Sequence, residues 1–229
     1  MEKNLDNAAL EKGLKIAKFR TICLWPAVFL FLLFVIWFVG LFKTPSFHRP
    51  VEIIADDEIS QYLTNCILPE FYNKSQMGQP FEIVFTEDGV RDIVSRHLDA
   101  NGLKKAGFSD VSVIFAKGRI LISAKTNYRG YDFIVTAVLK PYVNGRGYFS
   151  PGLKIQAGTS DIPFAADAVK RKIIYNLAGI SSDSNISDYV GMFFSDNKII
   201  PEFSFHHRNL RIEKIILDDK KMIVGFLPE

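Results

Sequence analysis

The sequence predicts an α+β protein: one N-terminal transmembrane helix, then one extracytoplasmic domain with a curved antiparallel sheet and two to three packed helices. Three observations predict it. Residues 21–42, TICLWPAVFLFLLFVIWFVGLF, hold no charged side chain. Residues 111–157 alternate short β-branched and aromatic runs with turn signals such as Lys117-Gly118 and Asn144-Gly145. Residues 56–72 and 90–98 instead place their apolar side chains at helical spacing.

At about 1.5 Å per residue, the uncharged run covers roughly the 30 Å hydrocarbon core of a bilayer. A helix crosses as a single segment because it satisfies its own backbone N–H and C=O groups. Trp25 and Trp37 lie near the two ends, Lys43 closes the outer edge and Pro26 falls in the first turn, where its missing N–H costs little. The run exceeds the apolar core of a signal peptide, and Gly40-Leu41-Phe42-Lys43-Thr44-Pro45 offers no A-x-A-like cleavage site, so it reads as an uncleaved anchor. Lys12, Lys15, Lys18 and Arg20 precede it, whereas Lys43 and Arg49 follow. The positive-inside rule then gives a cytoplasmic tail (1–20), a span (21–42), a stalk (43–50) and an extracytoplasmic domain (51–229) at the cell, or inner, membrane.

Residues 44–229 hold 22 basic and 22 acidic side chains, so the outer domain is neutral. A nucleic-acid binder would show a basic stripe. The only run of three, Lys170-Arg171-Lys172, reads as the solvated face of a helix or a contact for anionic headgroups. Cys23 falls in the span and Cys66 in the domain, which excludes a disulfide within the domain. The sequons at Asn73 and Asn185 matter only in a glycosylating pathway.

Along the domain, Ile59, Tyr62, Leu63, Cys66, Ile67 and Phe71 form the apolar stripe of a helix over 56–72. Asp56-Asp57-Glu58 would cap it and complement its dipole. Residues 73–80, NKSQMGQP, read as a loop and 81–85 as a strand. Thr86 is the N-cap of a helix carrying Val90, Ile93, Val94 and Leu98 and stopping near Asn101-Gly102; His97 beside that stripe reads as structural. A four-strand meander follows over 111–116, 119–125, 131–140 and 148–157. A helix over 164–177, a polar loop over 181–187 and late strands over 199–206, 210–217 and 222–227 complete the chain.

The strands alternate imperfectly. In 131–140 and 222–227 both faces are largely apolar, whereas an antiparallel sheet with one wet face alternates cleanly. Two readings follow: helices and neighbouring strands cover both faces, or the second face lines an apolar groove. The groove candidates are Phe133, Val135, Leu139, Ile212, Ile216, Val224 and Phe226.

No G-x-S-x-G, H-E-x-x-H, Walker or C-x-x-C motif occurs, and the sequence offers no catalytic, metal or cofactor residue to name. His206-His207 would point to opposite faces of a strand and so not converge on one ion; a surface role is expected.

The segments FTEDGVRDIVSRHL, the meander VSVIFAKGRILISAKTNYRGYDFIVTAVLKPYVNGRGYFS, GTSDIPFAADAVKRKIIYNL and NLRIEKIILDDKKMIVGFL follow one another over 81–227. Their order resembles the membrane-anchored YpmS-like and LmeA-like envelope proteins, associated with TULIP-like lipid-binding folds. The resemblance implies a curved sheet wrapped around a long helix with an apolar cleft for acyl chains; no residue role is carried across. The expected function is binding of membrane lipid or another amphiphile in envelope lipid handling, without enzymatic activity. The alternatives are an assembly subunit docking onto a membrane protein complex and, as a second rival, an envelope hydrolase of unfamiliar type.

Overall fold

The computed structural model describes residues 25–54, 58–162 and 200–229, and shows an α+β fold with an N-terminal apolar helix and antiparallel sheets. The expected tail, the start of the uncharged run, Asp56-Asp57, the helix over 164–177 with its basic triplet and the loop over 181–187 lie outside the described residues.

Helix α1, Trp25–Phe42, is exposed along most of its length. A second helical segment runs through a π-turn, Leu63–Ile67, into α2, Leu68–Gln76. It starts later than expected. Glu58 to Ser60 are not helical, and the cap is Ser60, whose hydroxyl accepts from Leu63 N at 3.2 Å. It also ends later, because Lys74 ties the last turn to Glu70 (2.6 Å) and to the carbonyl of Glu82 (2.8 Å), so residues 73–76 are helix and not loop. Helix α3, Glu87–His97, is capped by Thr86 as expected, with Gly89 N donating to its hydroxyl at 3.2 Å. It closes at Leu98, before the expected stop, because Asp99 caps a separate short helix, α4, Ala100–Lys105. His97 is exposed on the last turn of α3 and not packed into the apolar stripe.

The strands form two main sheets, where one curved sheet was expected. The meander gives the five-stranded sheet: β2 (Phe108–Ala116), β3 (Arg119–Tyr128), β4 (Tyr131–Leu139), then β7 (Lys154–Ala157) and β8 (Ser160–Asp161). The expected strand over 148–157 breaks at Pro151-Gly152. Gly152 has φ +54, and a Cβ there would stand 2.6 Å from the carbonyl oxygen of Lys140. The piece before the break, β6 (Phe149–Ser150), pairs with β5 (Tyr142–Val143) as a separate ribbon.

The four-stranded sheet joins β1 (Phe81–Thr86) to the late strands β9 (Glu202–Phe205), β10 (Arg208–Asp218) and β11 (Lys221–Pro228), in the order β1-β11-β10-β9. Helix α2 covers one face of it. The Phe71 ring meets those of Phe81, Phe205 and Phe226 edge-on at 5.6, 4.8 and 5.1 Å, the favoured T-shaped geometry. Around it close Ile67, Ile83, Leu210 and Val224. His206-His207 is the two-residue turn of the β9–β10 hairpin and not part of a strand; both residues are exposed with φ of 47 and 65, as a type I′ turn requires.

The sheets meet end to end. At the Lys117-Gly118 turn, Gly118 N donates to Leu217 O (3.1 Å) and Lys220 N to Phe115 O (3.2 Å), while Glu87 caps the junction by accepting from Phe115 N at 2.8 Å.

Candidate functional site

The opposite end of the five-stranded sheet gathers three unlike parts. The strand registers bring them together: Tyr128 pairs with Tyr131 across the Arg129-Gly130 turn, Phe108 pairs with Thr126, and Val135 pairs with Ala157 just before the turn at Gly158-Thr159. The β3–β4 turn, the start of β2 and the β7–β8 turn therefore share one end. The Thr126 hydroxyl fastens the α4–β2 connection there by donating to Gly107 O at 2.8 Å.

The first part is the C-terminal end of α1. Its last carbonyls have no partner within the helix. The β7–β8 turn supplies donors: Thr159 N to Gly40 O at 2.9 Å, Thr159 Oγ1 to the same oxygen at 3.2 Å, and Ser160 Oγ to Trp37 O at 3.1 Å. In return the Trp37 indole donates to Asp161 O at 3.2 Å. Trp37 and Leu41 pack against a core of Val135, Ile155, Ala157 and Ile162. A file of rings, Phe34, Phe38, Phe42 and Tyr131, runs from the helix onto the domain with centroids 6.1, 5.3 and 6.1 Å apart.

The second part is a strap. Residues 43–50, expected as a stalk, bind down over the sheet. Pro45 is buried, Arg49 N donates to Ser112 Oγ at 3.1 Å, and His48 Nδ1 lies 2.7 Å from Ser123 Oγ. Val51 N then donates to Val111 O at 2.7 Å and Ile54 N to Ser95 O at 2.9 Å, which stitches the strap between β2 and α3. Partial burial pushes the His48 imidazole below its ordinary pKa, and nearby Asp110 opposes this. The Ser–His contact has the length of a nucleophile–base pair. Ser123, however, is only 1% exposed, so no substrate reaches it.

The third part is a cleft of about 490 Å³ between the strap, α4 and the start of β2. Val51, Ile53, Ala100, Leu103 and Phe108 give it apolar walls, and Lys104 stands at it with two carboxylates, Glu52 and Asp110. That size lies within the range of small-ligand pockets.

The expected groove residues are not brought to one place. Val135 and the half-buried Phe133 belong to the core closed by Trp37 and Leu41, so α1 itself covers that face of β4. Leu139 is buried at the far end of β4. Val224 and Phe226, with Ile212 beside them, lie under α2 in the other sheet, and Ile216 is exposed on that sheet's opposite face. The cleft residues were missed because each looks ordinary in its own segment. The available signal was the apolar pair Leu103 and Phe108 on either side of the Ala106-Gly107 break.

Compared with protein-family models, with curated proteins and with solved structures, the chain matches none.

Proposed function

We propose that this chain is a single-pass membrane protein whose extracytoplasmic domain binds lipid or another amphiphile beside the bilayer. One observation carries the reading: the partly apolar cleft opens at the end of the sheet to which the apolar helix is fastened. With α1 in the membrane, the end of the sheet that grips Trp37 and Phe42 is the part of the domain next to the outer leaflet. The basic residues before the span set the tail inside, and a reporter active only in the cytoplasm is silent when fused after Glu229.

The test is binding of a fluorescent fatty acid to the purified full chain. Leu103→Glu places a charge on the apolar wall and abolishes binding while the protein still melts cooperatively. Unchanged affinity in that variant sinks the cleft as the site. Mass spectrometry of co-purifying lipid identifies the ligand class.

A second reading, docking onto a membrane protein complex, is favoured by a different surface. Val84, Ile223 and Ile216 stand in register across three strands on the face of the four-stranded sheet away from α2, with Val84 42% and Ile216 46% exposed. Ile216→Arg would then abolish crosslinking to membrane partners and leave fatty-acid binding intact.

A further inference from the structure

We propose that the end of the five-stranded sheet that grips α1 is a bilayer-contacting surface. The Arg129-Gly130 and Gly158-Thr159 turns sit at the headgroup layer, so the domain is held against the membrane in one orientation. This rests on the reading of α1 as a membrane span. It adds to that reading, because an anchor alone would let the domain swing freely above the surface.

The uncharged run 21–42 has 22 residues, about 33 Å at the rise of a helix, and a bilayer core is about 30 Å thick. Little of it is spare. Yet the domain holds the helix from Trp37 to Phe42, a stretch of about 7.5 Å along the axis. The turn that donates to Trp37 O therefore lies that far below the top of the helix. Either that turn enters the headgroup layer, or the bilayer thins to meet it at modest cost, and the Arg129-Gly130 turn lies beside it next to Phe42 through Tyr131. Both bring lipid against the same residues.

The covering of the helix agrees. The domain takes one side of its last turns, while Phe38 and Val39, in those same turns, remain 48% and 61% exposed. Lipid completes the cover. The chemistry of the rim also suits an interface. Tyr131 is 66% exposed and continues the helix's own file of rings, and Trp37 keeps its indole N–H satisfied. The exposed ion pairs Lys125–Asp132 (2.8 Å) and Lys154–Asp161 (2.7 Å) flank the turns, as charges do at headgroup level and not in the acyl core. The other end of the sheet, at Lys117-Gly118, is spent on the joint with the second sheet.

The experiment uses the full chain with Cys23→Ser and Cys66→Ser, reconstituted in phosphatidylcholine vesicles. A nitrobenzoxadiazole label is attached at Arg129→Cys, Thr159→Cys, Lys117→Cys or Phe31→Cys, one site at a time. Quenching is read with phosphatidylcholine carrying a nitroxide on the headgroup or at mid-chain. The expected result is loss of most fluorescence at 129 and 159 with the headgroup nitroxide, none at 117, and loss at 31 with the mid-chain nitroxide. If 129 and 159 are quenched no more than 117 while 31 responds to the mid-chain probe, the helix spans but the surface does not touch lipid, and the inference is overturned. If 31 does not respond, the span reading falls and the inference with it.

Discussion

A Cβ built on Gly158 would stand 2.3 Å from the carbonyl oxygen of Gly40, so the β7–β8 turn and the end of α1 meet backbone to backbone. Gly158 also has φ +55, where side chains are strained. The contact joins residues far apart in sequence and makes the last turns of the apolar helix part of the domain's core.

Gly158→Val should cost about 1–3 kcal/mol, because overpacking meets two backbone oxygens that cannot rotate away. Gly118→Val, with φ +74 but open space around it, should pay for strain alone and lose less. Thermal melting ranks the two, and hydrogen exchange of the Thr159 amide reports release of the helix in the first. Equal losses would show that the close approach contributes nothing.

Ser60 is fully buried and does two jobs: it caps the helix at Leu63 N, and its hydroxyl donates to Asp92 Oδ2 at 2.5 Å. Ser60→Ala should destabilise by about 0.5–2 kcal/mol. The Asp92 carboxyl lies below the usual aspartate range, first because of the Ser60 hydroxyl and then because of Arg96. A depressed carboxyl adds stability above its unfolded pKa and loses it as pH falls through the folded one. Carbon-detected titration should find the Asp92 pKa higher in Ser60→Ala; no change would remove Ser60 as the main cause.

The strap should loosen in mild acid. Burial depresses His48 below its ordinary value of 6.5, so the neutral ring is favoured by folding. Its contribution is complete above 6.5 and declines below it, as the unfolded chain takes up the proton first. His48→Gln keeps a polar side chain and removes the titration. Melting temperatures recorded against pH should fall less steeply for the variant in that window; parallel curves would sink the prediction.

Thr136 lies in register between Ser123 and Gln156, fully buried, and its hydroxyl has no hydrogen-bond partner among the described residues. Thr136→Val keeps the shape and removes the unsatisfied group, and should stabilise by about 1 kcal/mol. Chemical denaturation measures it, and a loss of stability would mean that the hydroxyl is bonded in solution.

Local chemistry in the sequence determined the apolar helix, the Thr86 cap, the Lys117-Gly118 hairpin and the meander, because each depends on residues a few positions apart. It read both faces of β4 as apolar without deciding what covers them. The tertiary structure decided that Trp37 and Leu41 close the Val135 face and that Ser123 lies beneath His48 of a strap. It paired β1 with β11 across most of the domain's length, which split the expected single sheet in two and sent Val135 and Phe226 to different cores. The cleft was not legible because its walls come from three segments, none periodic enough to announce a pocket. Side-chain periodicity reports which face of an element is apolar. Which distant surface meets that face depends on closing long loops and on packing the chain as a whole, and no local pattern carries that information.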